Sequence, residues 1–290
     1  MKSAAAIISI VAIVLACLIY ADTGTILHNQ YDDSYITYRY AANLAEHGAL
    51  EYNLGERVDA ASSFLYTVML AAFYRVGFKD MAGISGMLNL LALGLIAGYV
   101  FMSVAKIYRP LVKYRWISEP GSCSYINNES EGYRTIYYIV PAILSLAASL
   151  HGFVSGWAVL SMDTVPFAAL LVMYAYYQFI NPGYTASLIL ACAIILMRPE
   201  GILIVPVWWF ANRSEARGSL VLLGVFSALW TFKMTYYGFN LPNSFTAKLA
   251  IPYYKPDPMY TVKTWGMYAV VPVILAVSAA GKYLWGKCHA

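Results

Sequence analysis

The chain has 290 residues, of which 60% are hydrophobic and 12% charged, about half the charged share of an average soluble domain. Its formal net charge of +4 is too small to point to nucleic acid, and no glycine-rich phosphate loop occurs. Several runs approach the roughly 20 apolar residues that a bilayer demands, which excludes an ordinary soluble domain and implies an all-α polytopic membrane protein, because helices satisfy their own backbone groups inside lipid.

The first predicted helix is 4–20. It carries "VLAC" at 14–17, which resembles a lipoprotein cleavage site. Apolar residues continue past Cys17 without the polar switch that follows a cleaved signal, so the segment reads as an uncleaved span. Next comes "DDSYITYRYAANLAEHG". Ile36, Tyr40 and Leu44 recur every four residues and make one apolar stripe of an amphipathic helix. Asp32 suits its N-cap, Asp33 its first turn and Gly48 its stop. Further helices are expected at 61–77, 84–106, 135–152, 165–180, 184–197, 200–211, 218–236 and 264–285. The breaks are "NPG" (181–183), "RPEG" (198–201), "NRSEARG" and "LPNSFTAKLAIPYYKPDP".

Loop charge sets the orientation. Lys106, Arg109, Lys113, Arg115 and Arg134 flank the stretch 106–134, which is therefore expected in the cytoplasm, and Lys2 places the N-terminus there too. Both hold only if 61–77 lies along the outer interface instead of crossing. The later loops then alternate, with Arg213, Arg217, Lys282 and Lys287 inside. The outer face collects Asp32, Asp33, Arg39, Glu51, Glu56, Arg57, Asp59, Asp163, Arg198, Glu200, Asn243, Lys248 and Lys255. Chemistry on that face has no cytoplasmic ATP or nucleotide sugar, so it needs a lipid-carried donor.

Two readings of Asp32 and Asp33 stand side by side. Capping explains one carboxylate well and two adequately. Alternatively, a carboxylate at an interface can act as general base toward a sugar hydroxyl, while its neighbour raises its pKa, orients it or binds a divalent cation. Arg57, Arg198 and Lys248, if gathered, can hold a phosphate, arginine through paired donors and lysine as a point charge.

Four segments, in order, carry a resemblance. They are "DDSYITYRYAANLAEHGALEYNLGERVDAASSFLYTVML" (32–70), "SMDTVPF" (161–167), "RPEGILIVP" (198–206) and "YYGFNLPNSFTAKL" (236–249). Together they resemble the C-type membrane glycosyltransferases, and within them the branch that contains the mycobacterial terminal arabinofuranosyltransferase. The apolar runs themselves give a bundle of about eight transmembrane helices, and the resemblance implies two interfacial helices in the first external loop. It implies transfer of a sugar from a polyprenyl-phosphate donor to a glycan, lipid or protein acceptor on the external, periplasmic face of the cell membrane. Asp32 maps onto the expected base and Asp33 onto its partner or a metal ligand. Arg57, Asp163, Arg198, Asn243 and Lys248 are the expected substrate-binding residues. The chain departs from the family pattern in "DAASSF", where an aromatic is common, and in "SMDT", where glycine and glutamate are usual. One membrane module over 1–290 is expected, with no separate soluble C-terminal domain and with a partner subunit as one source of missing parts. A truncated or degenerate transferase-like scaffold, a transporter, and a hydrolase with water as acceptor are the rival readings.

Other residues have plainer expectations. Asp163 can cap the helix that starts at 165, with Pro166 in the first turn. Glu200 is expected to pair with Arg198, and Pro199 alone explains the break there. Lys233 is expected to snorkel. Trp208, Trp209 and Trp230 read as interface or lipid-facing residues. His28, His47 and His151 show no metal-ligand spacing, and no disulfide is expected among Cys17, Cys123, Cys192 and Cys288.

Overall fold

The structure is a computed structural model of the chain. It describes residues 1–20, 32–61, 63–117, 131–151, 154, 162–212 and 216–238, with backbone alone for 20, 109–117, 131–136 and 216. Asn243, Lys248, Lys255, the expected helix 264–285, Cys123, Cys288 and His28 lie outside the described residues.

The described residues form helices and turns with no strand among them. They are α1 (Lys2–Tyr20), α2 (Asp32–His47), α3 (Phe64–Arg75), α4 (Met81–Ile117), α5 (Glu131–Leu150), α6 (Thr164–Ala175), α7 (Tyr184–Met197), α8 (Ile204–Ala211) and α9 (Ala216–Tyr237). A π turn, Tyr176–Ile180, prolongs α6, and a 3-10 turn, Pro199–Leu203, precedes α8. Three stretches are long and apolar enough to cross a bilayer: Lys2–Ile19, Met81–Tyr108 and Arg217–Tyr237.

Small residues let α1 and α4 meet closely. A Cβ on Gly98 would stand 2.5 Å from Ser9 Oγ and 3.4 Å from the Ala5 carbonyl, and one on Gly94 would stand 2.8 Å from Ile13 Cδ1. Glycines four residues apart, facing Ala5, Ser9 and Ile13, give the close approach that lipid-embedded helices use, since lipid offers no hydrophobic drive for association. Further along, Ala16 meets Ala92 and Leu93. The two helices are therefore antiparallel.

The same logic sorts every later helix end. Val165 and Ala169 pack where Ala16 and Ala92 pack, while Lys106 Nζ donates to the Ile180 carbonyl and, at 2.6 Å, to Asn181 Oδ1. So α6 runs parallel to α4. Met197, at the end of α7, packs with Tyr38, Tyr66 and Met81, and Tyr237, at the end of α9, packs with Tyr40 and Leu50. Tyr184 and Gly218, from the opposite ends of α7 and α9, both meet Trp208. The chain alternates between two ends of the bundle. One end holds α2, α3, the starts of α4 and α6 and the finishes of α7 and α9. The other holds Met1, Lys106, Tyr137 and Asn181.

Several expectations are corrected. The stretch 106–134 is helical at both margins, because α4 runs on to Ile117 and α5 begins at Glu131. Thus Lys106, Arg109, Lys113, Arg115 and Arg134 ride on helices, not on a loop. A 37-residue helix is about 55 Å long, well beyond the roughly 30 Å hydrocarbon core, so part of α4 projects past it. The expected 61–77 shrinks to 12 residues, about 18 Å; Ser63 is extended and Gly77, at φ 106°, turns the chain. Trp208 is fully buried, against Tyr174, Ile194 and Leu222, whereas Trp209 and Trp230 are exposed as expected. Gly48 stops α2 as expected, at φ 69° with its N–H on the Leu44 carbonyl.

Gly201 gives "RPEG" a local cause. A Cβ there would lie 2.3 Å from the Ile194 carbonyl oxygen and 2.8 Å from Ile195 Cα. These are backbone atoms of α7 and cannot swing aside, so the turn that carries Arg198 packs on α7 only with glycine. Gly201→Ala is expected to cost about 3 kcal/mol in thermal unfolding in detergent. Gly224→Ala, where nothing lies within 4 Å, is expected to leave the transition unmoved. Equal transitions for the two variants would refute this packing.

Candidate functional site

Three groups of polar side chains share one end of the bundle. The first is the start of α2. Asp32 and Asp33 both lie in its first turn and both are exposed. Asp32 is thus inside the helix, not at its cap as expected. Neither carboxylate takes a hydrogen bond or ion pair from another described residue. The positive end of the helix dipole favours their charge.

The second group is an ion pair. Arg198 donates from Nε to Asp163 Oδ2 at 2.8 Å and from Nη2 to Asp163 Oδ1 at 3.1 Å. The Asp163 side chain is 6% exposed and that of Arg198 25%. Asp163 does occupy the cap position of α6, but its side chain makes no cap bond. The fork geometry of arginine on a carboxylate wins, because a charge-assisted double bond is about twice as strong as a neutral one. The Arg198 guanidinium also stands 5.7 Å over the Phe167 ring. The expected Arg198–Glu200 pair gives way to this one, and Glu200 is exposed.

Sequence reasoning missed the third group, which wraps the segment 49–61 onto α9. Lys233 Nζ bonds both oxygens of Asp59 at 3.1 and 3.0 Å, with side chains only 14% and 7% exposed. Lys233 is therefore a buried counter-ion, not a snorkelling lysine. Glu51 accepts the Gly55 N–H at 2.6 Å and the Tyr236 hydroxyl at 3.3 Å. Arg57 stands 3.5 Å from Glu51 and 4.9 Å over the Tyr236 ring, and it is largely exposed. Tyr237 donates to the Leu50 carbonyl, Tyr40 to that of Val58, and Asn43 to those of Glu51 and Tyr52. Lys233→Met is expected to cost about 3 kcal/mol, because it strands the buried Asp59. Adding Asp59→Asn is expected to return most of that loss in detergent unfolding. A double variant as unstable as the single one would show that the pair is not the cause.

A chain of hydrogen-bonded side chains runs between the first two groups, from Ser34 to Tyr66 and Asn89. Tyr38 is hydrogen-bonded to Ser34, next to Asp33, and to Ser85 on α4. Ser85 Oγ lies 2.6 Å from the Tyr66 hydroxyl. Asn89 Nδ2 donates to that hydroxyl at 3.1 Å and to the Ser85 carbonyl at 2.9 Å. Tyr66 is close enough to Asp163 to feel its charge. Burial pushes the Tyr38 phenol up to about 12, so it remains a neutral hydrogen-bonding group at ordinary pH. The sequence signal for this chain was the polar Ser85 and Asn89 within the apolar run of α4, residue types that hydrogen-bond between packed membrane helices.

Compared with protein families, curated proteins and solved structures, the chain matches none.

Of the expected site residues, then, Asp32, Asp33, Arg57, Asp163 and Arg198 all lie at one end of the fold. Asp163 and Arg198 touch each other. Arg57 belongs with Glu51 and Tyr236 instead. Asn243 and Lys248 lie outside the described residues, although α9 ends at Tyr237, six residues before Asn243, at this same end. Asp32 and Asp33 offer oxygen ligands of the kind hard cations take. Among the described residues no set of three or more His, Cys, Asp or Glu surrounds a metal position, so no step is derived through one. Cys17 and Cys192 are free thiols.

Proposed function

We propose that this protein is a membrane glycosyltransferase of the C-type kind, using a polyprenyl-phosphate sugar on the external face of the cell membrane. The observation that carries this is the gathering at one bundle end of two carboxylates without a described partner, Asp32 and Asp33, with the Asp163–Arg198 pair. The multi-pass bundle of about eight spans and the interfacial placement of α2 and α3 belong to the same proposal. It is supported by the alternating helix directions.

In the proposed reaction the acceptor hydroxyl oxygen attacks the sugar C1. Its proton passes to the Asp32 carboxylate, a role that needs only hydrogen-bond reach and an available lone pair. The bond between C1 and the phosphate oxygen breaks, and the polyprenyl phosphate leaves with the electron pair. Cations stabilise that developing charge. Arg198, held in place by Asp163, and Lys248 are the proposed cations, and Arg57 and Asn243 are the proposed sugar or phosphate contacts. Asp33 orients Asp32. The acceptor is a glycan, lipid or protein.

Incubating the chain in lipid nanodiscs with a panel of radiolabelled polyprenyl-phosphate pentofuranoses and hexopyranoses tests this. Label moving onto an acceptor supports transfer. Release of free sugar alone points to hydrolysis with water as acceptor. No turnover of any donor removes the proposal.

One observation favours a second reading, a transferase-like scaffold or subunit. The buried cations Arg198 and Lys233 are already neutralised by Asp163 and Asp59, an arrangement that stiffens a framework as readily as it clamps a phosphate. Activity that appears only when a second membrane subunit is added would select it.

A further inference from the structure

Asn89 is fully buried, about 12 Å along α4 from Met81. Its Nδ2 makes two hydrogen bonds while its buried Oδ1 has no partner among the described residues. Exchanging the two amide atoms would set an acceptor against the Ser85 carbonyl, so this orientation is fixed by its partners. A buried acceptor left without a donor is destabilising. Leucine at this position would avoid that cost and suit lipid better. What the amide provides is geometry. It holds the Tyr66 hydroxyl, which holds Ser85, which holds Tyr38, which is bonded to Ser34 beside the two aspartates. Packing along the same path is continuous, since Tyr38, Tyr66 and Met197 form one buried cluster with Phe167 against it. Met197 precedes Arg198, and Phe167 lies under its guanidinium.

We propose that Asn89 is a positioning residue that fixes the first turn of α2 relative to the Asp163–Arg198 pair through Tyr66, Ser85 and Tyr38. The catalytic consequence rests on the transferase reading; the geometric one does not. A polar network with every link intact rigidifies its surroundings, and losing one link loosens the others. Because a displacement of about 1 Å can cost up to 100-fold in rate, loosening α2 should slow the chemical step more than it weakens binding.

The test uses the full chain in nanodiscs, with Cys17, Cys123, Cys192 and Cys288 changed to serine. Spin labels go on the exposed positions Tyr35→Cys and Glu200→Cys. The distance distribution between them is expected to be narrow in the parent and broader in both Asn89→Ala and Tyr66→Phe. The second variant removes one hydroxyl and keeps the ring that packs the core. Leu91→Ala, at an exposed position of the same helix, should change nothing. With the polyprenyl-phosphate sugar that the parent turns over, kcat should fall about tenfold with KM little altered. An unchanged distribution in both variants overturns the proposal. A broader distribution with KM raised and kcat intact overturns its catalytic part. Broadening in a protein whose parent turns over no donor upholds the positioning and removes the transferase reading.

Discussion

Asp32→Asn is expected to reduce sugar transfer by about 10²- to 10⁴-fold while leaving expression and membrane insertion intact. The substitution keeps the shape and removes the charge and the proton-accepting oxygen. Asp32 is exposed and bonded to no other described residue, so nothing in the described fold depends on its carboxylate. Surface changes of this kind stay within about 0.5 kcal/mol. The loss must therefore appear in kcat and not in the folded fraction. Asp33→Asn is expected to lose less, because its proposed role is to orient its neighbour. Turnover assays beside thermal unfolding separate the two effects. Parent-like turnover in Asp32→Asn would reject the base assignment. A collapse of the fold would show that the first turn of α2 is structural.

Asp163→Ala is the second large effect. It removes the carboxylate that takes two hydrogen bonds from the three-quarters-buried Arg198, and breaking a buried ion pair from one side costs about 3–5 kcal/mol. The melting transition in detergent should fall steeply. Arg198→Ala should fall similarly, because a 6%-exposed carboxylate is then stranded. Combining Asp163→Leu with Arg198→Leu in one chain should recover much of the stability, since apolar replacement of a buried pair is often neutral. Transfer should stay abolished in the double variant if Arg198 also meets phosphate. A stable and active double variant would reduce the pair to scaffolding, in line with the second reading.

The helices were legible where a local signal sets them. Gly48 stops α2 because only an αL residue fits there, and that shows in sequence. The apolar runs of α1, α6, α7 and α9 likewise announce themselves. The far end of α4 did not. Lysine and arginine are good helix formers, so the backbone stays helical past the apolar run. The α3 segment came out shorter because extended and glycine-turned residues flank it, which apolarity alone does not reveal.

The site was legible in its composition and not in its pairing. Asp163 occupies the cap position that sequence assigns, but its side chain turns to a residue 35 positions later. Lys233 reaches Asp59 across 174 positions. No local pattern encodes either partner; each follows from helices of alternating direction bringing their ends together. Asn89 carried a signal that charge-based reading passes over: a lone amide in an apolar run, its oxygen without a partner among the described residues.

The account depends on where a polyprenyl phosphate sits. An experimental structure of the chain in nanodiscs with a bound short polyprenyl phosphate measures this. The phosphate is expected between the first turn of α2 and Arg198, within hydrogen-bond reach of at least one cation from the second half of the chain. A phosphate bound instead beside Lys106 and Asn181, at the opposite end of the bundle, would contradict it.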